Sequence, residues 1–91
     1  MDASASVARI ASALSWYLRL NPFASDTVEG IAQWWLSGDA FSLIDLAGAL
    51  RAMELAGVIE AVRAADGQVR YRRTAPDPRN DAQLDRFIAG S

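Results

Sequence analysis

The stretch from Ser42 to Ile59 constrains the fold more than any other part of this 91-residue chain. Ser42 suits the N-cap of a helix, because its hydroxyl can accept a hydrogen bond from a backbone N–H of the first turn. Asp45, three residues later, completes a shortened capping box. Gly57 suits the left-handed position just past a helix, and the β-branched pair Val58-Ile59 starts a strand. This stretch therefore predicts a capped helix that passes directly into a β-strand.

Apolar residues at helical spacing support that helix. Phe41, just before the cap, can contact Leu46 in a hydrophobic staple. The residues expected to supply the apolar spacing are Leu43, Leu46, Ala47, Leu50, Met53 and Leu55.

Residues 5–20 predict an amphipathic first helix, which Asn21-Pro22 ends because the residue before proline avoids the α region. Trp16 and Leu20 lie outside its main apolar stripe, so this helix has either a wide core face or a subunit interface. The residues of the main stripe are Val7, Ile10, Ala11, Leu14, Tyr17 and Leu18.

A second helix is predicted after the short extended link Phe23-Ala24, with Asp26 as its N-cap and Glu29 at the box position. Val28, Ile31, Ala32 and Trp35 form its expected core stripe. Adjacent tryptophans cannot share one helix face, so Trp34 is expected to be partly exposed or at an interface. Ser37-Gly38-Asp39 is expected to end this helix, and the two helices then fit a helix-turn-helix.

Two strands, Val58–Ala64 and Gln68–Arg73, are predicted to form a hairpin, because Asp66-Gly67 favours a two-residue type I′ turn. That turn implies a register on the side that covers the helices: Val62 opposite Tyr71, Ala64 opposite Val69, and Glu60 opposite Arg73. On the other side Arg63 is expected to face Arg70.

A stiff, proline-containing segment begins at residue 76. Residues 1–75 are therefore expected to form the main domain, and residues 76–91 a linker with a short helix. Pro76-Asp77-Pro78 is the linker, and Asn80 with Gln83 predicts the capping box. Leu84, Phe87 and Ile88 give the last helix an apolar face. A helix this short is marginal alone, so it must dock on its own domain or on a second subunit.

Composition excludes several classes of function. The formal net charge is −2 and the pI about 4.8, which does not favour nucleic acid as a partner of the whole chain. All nine basic residues are arginine, and histidine, cysteine and lysine are absent. Disulfides, thiolate chemistry, Schiff-base lysines and His/Cys metal sites are thereby excluded, so we expect no enzyme, cofactor or metal. No secretory signal or membrane-spanning window is recognisable, which favours the cytoplasm.

A helix, a helix-turn-helix and a two-stranded hairpin resemble the winged helix-turn-helix superfamily over roughly residues 7–73. Leu46, Leu50, Met53 and the run Gly57-Val58-Ile59 carry the resemblance to its third helix and first wing strand, and Asp66-Gly67 resembles the wing tip. The resemblance implies a mainly α fold with a β-hairpin, in the order α1, short β1, α2, α3, β2, β3, α4. Most members bind DNA, and some act through protein contacts.

The expected third helix departs from a DNA-reading member, whose outward residues contact base edges. Its outward candidates, which we expect to form a protein partner face, include none of the side chains that read bases. Residues 1–62 contain three arginines and seven acidic residues. Its small residues Gly48, Ala49, Ala52 and Ala56 suit close packing of another helix, or are simply exposed. The expected partner face is Leu43, Ile44, Asp45, Ala49 and Ala52.

The expected wing is basic, in contrast to the third helix. Its arginines are either a solvated hairpin face or a contact for an anion, either DNA or the acidic face of a partner. These residues are Arg63, Arg70, Arg72 and Arg73, followed by Arg79.

The sequence thus favours a non-catalytic winged-helix module that acts through protein–protein contact, as a homodimer. The alternative is a DNA-binding transcriptional regulator that uses its wing arginines. The candidates for a dimer interface are Trp16, Trp34, Leu84, Phe87 and Ile88.

Overall fold

The computed structural model describes the backbone of residues 3–36 and 41–90, and the side chains of residues 5–36 and 41–90. The predicted helix end at Ser37-Gly38-Asp39 lies outside the described residues.

The described residues form a compact α+β domain with four helices and a three-stranded antiparallel sheet. The strand order is β1-β3-β2. The expected α+β class and order of elements are confirmed. No helix in the described ranges is both long and apolar enough to span a bilayer. The elements are α1 (Ala3–Leu20), β1 (Ser25–Asp26), α2 (Val28–Gly30, continued by a π-helical segment, Ile31–Trp35), α3 (Leu43–Leu55), β2 (Ile59–Arg63), β3 (Val69–Arg73) and α4 (Pro78–Ala89).

Helix α1 is central to the domain, because it packs against both α3 and α4. Leu14 and Leu18 are buried, as their helical spacing predicted. Tyr17 stacks on Trp35, with ring centroids 4.8 Å apart and an angle of 16° between the ring planes. This aromatic contact joins α1 to the π-helical segment and adds to the stabilisation from burial alone.

The second helix begins one residue later than the sequence predicted. Thr27 is its N-cap, and its Oγ1 accepts a hydrogen bond from the backbone N–H of Gly30 at 3.2 Å. Asp26 is wrong as the cap because it belongs to β1, where it pairs with Tyr71 of β3. The division between the tryptophans is confirmed: Trp35 is buried, whereas 65% of Trp34 is exposed.

Helix α3 begins and ends as predicted. The Ser42 hydroxyl accepts from the backbone N–H of Asp45 at 3.0 Å. Gly57 has a φ of +79°, and its N–H donates to the carbonyl of Glu54 at 2.9 Å. The N–H of Val58 donates to the carbonyl of Met53 at 3.1 Å, which completes a Schellman motif. The chain therefore turns sharply from α3 into β2.

The face of α3 that meets the core differs from the prediction. The buried residues are Leu46, Ala49, Leu50 and Met53, at positions i, i+3, i+4 and i+7. Three residues counted in the apolar spacing of α3, namely Leu43, Ala47 and Leu55, are exposed and lie outside this stripe. For Leu43 this agrees with its expected place on the partner face.

The assignment of Ala49 to the outward partner face is also wrong. Ala49 has no exposed surface, and the helix that packs against α3 is α1. A Cβ atom on the neighbouring Gly48 would lie 3.3 Å from Cγ2 of Val7. The first part of the small-residue strip, at Gly48 and Ala49, therefore receives a closely packed helix, and that helix is the chain's own α1.

The hairpin register is one residue away from the prediction. The N–H of Gly67 donates to the carbonyl of Ala64 at 3.0 Å, and Ala64 donates to the carbonyl of Gln68 at 2.8 Å. Gly67 has a φ of +84°, whereas Asp66 keeps a negative φ, so a type I′ turn is excluded. The connection is instead a three-residue loop in which Gly67 is left-handed.

This longer loop changes every cross-strand pair, because a one-residue slip exchanges the two faces of a strand. The predicted opposition of two arginines, Arg63 and Arg70, is therefore wrong. The observed pairs are Ile59–Arg73, Glu60–Arg72, Ala61–Tyr71, Val62–Arg70 and Arg63–Val69.

Helix α4 docks on its own chain, against α1. Its N-cap is Asp77, whose Oδ1 accepts from the backbone N–H of Asn80 at 2.8 Å, and Pro78 occupies the first turn. Asn80 is therefore wrong as the cap. Leu84 is fully buried within the chain and is not available to a second subunit, while Phe87 and Ile88 are half-buried.

Candidate interaction surfaces

Arg73, which the sequence assigned to the exposed wing, lies in the interior with only 2% of its side chain exposed. Its Nε donates to Oδ1 of Asn80 at 2.6 Å, and its Nη2 donates to Oδ1 of Asp81 at 2.5 Å. Its Nη1 donates to the carbonyl of Leu18, in the last turn of α1, at 3.4 Å. One guanidinium thus connects β3, α4 and α1, and the assignment of Arg73 to a binding surface is wrong.

Neighbouring polar groups extend this contact. The side-chain amide of Asn80 donates to the carbonyl of Val58 at 3.0 Å, next to the start of β2. Arg19 of α1 pairs with Asp81 at 2.9 Å and with Asp85 at 3.1 Å. Because a buried cation is stable only when its donors are satisfied, these groups fix the position of α4 relative to the sheet.

The charge on Asp81 depends on this arrangement. The hydrogen bond from Arg73, together with the positive charges of Arg73 and Arg19, lowers the pKa of the Asp81 carboxyl below its ordinary value, although partial burial opposes the shift. The ionised form is therefore favoured in the folded protein.

The wing retains fewer available cations than the sequence suggested. Arg72 is exposed and pairs with Glu60 at 2.8 Å. Arg63 is exposed, and its Nη1 donates to the carbonyl of Gly67 at 3.3 Å. Arg70 has no ion pair with any described residue. Because Arg63 opposes Val69 and Arg70 opposes Val62, the two remaining cations lie on opposite faces of the hairpin.

The outward face of α3 is apolar. Ile44 is 84% exposed, Leu55 75% and Leu43 63%. Ala47 and Arg51 are also exposed, while Asp45 and Ala52 are half-buried. No other cation lies on this helix, and Arg51 has no ion pair with the described residues. Four of the five predicted partner-face residues thus keep exposed surface, and Ala49 does not.

A second apolar surface follows the end of α1. Trp16 is 55% exposed, Leu20 75% and Phe23 84%. Trp16 and Leu20 are one helical turn apart and share a face. The sequence correctly separated Trp16 and Leu20 from the buried stripe of this helix.

A groove that the sequence did not reveal runs beside α4. One part, of about 440 Å³, lies between α1, α3 and the end of α4. The next part, of about 260 Å³, continues towards the start of β2. Arg86 and Phe87 line both parts. The other lining residues are Val7, Ala8, Ala11, Ala52, Ala56, Val58, Gln83 and Gly90.

Within the described residues, no group of three or more histidine, cysteine, aspartate or glutamate side chains could hold a metal ion. No protein-family model, no curated protein and no solved structure matches this chain.

The interior position of Arg73 had a partial signal in the sequence. Arg72 and Arg73 are adjacent in a strand, so their side chains must point to opposite faces. Arg73, two residues after Tyr71, therefore had to share the face of Tyr71, and Arg72 had to point to the other face. The partners Asn80 and Asp81 could not be assigned locally, because they belong to a helix that follows a proline linker.

We predict that Arg73→Met lowers the free energy of unfolding by about 2–3 kcal/mol, because it leaves the buried Asn80 oxygen without its donor and leaves Asp81 with Arg19 alone. Partial exposure of Asp81 keeps the loss at the low end for such contacts. The matched control is Arg72→Met, which removes an exposed ion pair and should cost under about 1 kcal/mol. Urea denaturation measures both; equal losses would contradict the buried position of Arg73.

We also predict that Asp81 makes stability depend on acid pH. The pKa of Asp81 is lower in the folded protein than in the unfolded chain, where an aspartate has a pKa of about 3.9. Its stabilisation is therefore complete above the unfolded pKa and is lost as the pH falls through the folded one. Unfolding free energies of the wild type and Asp81→Asn should differ most near neutral pH and converge in acid. The control Asp85→Asn, which lacks the Arg73 contact, should show a smaller difference; a pH-independent gap for Asp81→Asn would refute the linkage.

Proposed function

We propose that this chain is a non-catalytic winged-helix module that acts through protein–protein contact, with a second copy of itself as the partner. The order of helices and strands, with the hairpin directly after α3, supports the winged-helix assignment. The apolar outward face of α3 carries the functional part of the proposal, because Leu43, Ile44 and Leu55 are mostly exposed.

The exposed residues of α3 are unsuited to reading DNA. Base edges are recognised mainly by arginine, lysine, asparagine and glutamine, and this helix offers only Arg51. Desolvating Ile44 or Leu55 against base edges and phosphates would gain little. Covering them with another apolar surface would contribute roughly 1.5–3 kcal/mol for each side chain fully buried.

A second copy suits this face because it is self-complementary. Ile44, Ala47, Arg51 and Leu55 follow one line along α3, at i, i+3, i+7 and i+11. A two-fold axis near the middle of an antiparallel pair brings Ile44 of one copy next to Leu55 of the other, twice. The small Ala47 allows close approach, and the aliphatic stem of Arg51 can lie over it while the charge stays in water.

Analytical ultracentrifugation over a wide concentration range tests the homodimer of 9.8 kDa chains. We expect Ile44→Asp to raise the dimer dissociation constant at least tenfold, which corresponds to ~1.4 kcal/mol. Phe23→Asp is the matched control, because Phe23 is equally exposed and the charge change is identical. A wild-type monomer at every concentration would refute the homodimer, and dissociation by Phe23→Asp alone would refute the α3 interface.

The alternative function is DNA binding through the wing. Arg63 and Arg70 support it, because neither has an acidic partner among the described residues. Two such cations can position the wing on phosphates, but phosphate contacts carry no direct sequence information.

Fluorescence anisotropy of a labelled mixed-sequence duplex separates the two functions. We expect no binding tighter than ~10⁻⁴ M at physiological salt, which is weaker than ordinary non-specific DNA binding. Salt-sensitive binding that is lost in Arg63→Ala with Arg70→Ala would establish the alternative. The control, Arg9→Ala with Arg51→Ala, removes the same charge away from the wing and should then keep binding.

A further inference from the structure

The groove beside α4 has an apolar floor and a basic edge. Its two parts follow α4 from Gln83 to Gly90, about 10 Å or two helical turns. The floor consists mainly of small or apolar side chains of α1 and α3, with Phe87 between the two parts. A surface of this shape fits side chains at i, i+3 and i+4 of another helix.

The charge at this groove is positive. Arg86 lines both parts, and no acidic residue lines either part. Arg86 and Arg79 have no ion pair with the described residues. Arg79, Gln83 and Arg86 lie at i, i+4 and i+7, so they share one face of α4. The nearby carboxylates of Asp81 and Asp85 are paired with Arg19 instead.

We propose that this groove binds an amphipathic helix of another protein that carries carboxylates along one flank. Its apolar residues fill the floor around Phe87, and its acidic flank lies against Arg86 and Arg79. The site goes beyond the self-association proposed above, because it uses Ala52 and Ala56 rather than the line from Ile44 to Leu55. Each of its two arginines is free to form a new ion pair without breaking one in the described structure.

The test uses a fluorescein-labelled helical peptide with leucines at i, i+3, i+4 and i+7 and glutamates along one flank. The paired probe replaces each glutamate with lysine. We expect the wild-type chain to bind the glutamate peptide at least tenfold more tightly than the lysine peptide. Equal affinities, or no saturable binding of the glutamate peptide, would overturn the proposal.

Variants locate the binding. Arg79→Glu with Arg86→Glu should weaken binding of the glutamate peptide at least tenfold. Arg9→Glu with Arg70→Glu, an equal charge change elsewhere, should leave this binding unchanged. Ala52→Trp fills the groove without changing charge and should also weaken binding at least tenfold. Unfolding curves check that each variant is folded. Unchanged binding in either groove variant would overturn the proposal.

Sedimentation of the same variants separates this site from the homodimer. The Arg79→Glu, Arg86→Glu variant should keep the wild-type oligomeric state even though it no longer binds the glutamate peptide. Dissociation of a wild-type dimer by this variant would mean that a second copy occupies the groove, and the inference of a different partner would be wrong. Loss of the dimer in Ile44→Asp with peptide binding retained would leave the inference standing.

Discussion

Burial of the Arg73 guanidinium is the constraint on which the arrangement of the domain depends. A cation with 2% of its side chain exposed is stable only if most of its N–H groups find acceptors. The three acceptors come from two other elements: Asn80 and Asp81 of α4, and the carbonyl of Leu18 in α1. The observed position of α4 brings all three acceptors to one guanidinium. Burial of Leu84 supplies the hydrophobic stabilisation of α4, and Arg73 determines where that helix lies.

The hairpin turn decides which residues of β2 oppose the two adjacent arginines of β3. With the two-residue turn suggested by Asp66-Gly67, Glu60 would oppose Arg73. With the three-residue loop, Ile59 lies opposite Arg73 and Glu60 lies opposite Arg72. Both turns are compatible with Asp-Gly, and the loop with one left-handed residue requires positive φ only at glycine. In this register each of the two adjacent arginines has an acidic partner.

Local signals were sufficient where tertiary contacts did not compete for the same side chain. Ser42 and Gly57 act only through their neighbours in sequence, and the sequence predicted both ends of α3 correctly. Asp26 and Asn80 are equally good caps by residue type, yet neither is the cap. The backbone of Asp26 pairs in the sheet while its Oδ1 accepts from the N–H of Thr27, and the side chain of Asn80 binds Arg73, so Thr27 and Asp77 act as the caps. Periodicity identified the core of α1, but in α3 it did not show that the small Ala49 is buried while the larger Leu55 is exposed, because α1 packs against this helix.

The position of α4 also determines which surfaces remain for partners. Since α4 covers one side of α1 with Leu84, this helix is not a free arm for exchange between subunits. The small residues of α3 are partly used by α1 and partly form the groove wall at Ala52 and Ala56. What remains of α3 is a separate line of apolar residues around Ile44. Helix α3 thus has two distinct exposed surfaces, the line from Ile44 to Leu55 and the groove wall at Ala52 and Ala56. Two separate surfaces favour two different partners over one, because a partner that covers the line from Ile44 to Leu55 gains nothing from Arg86 at the groove.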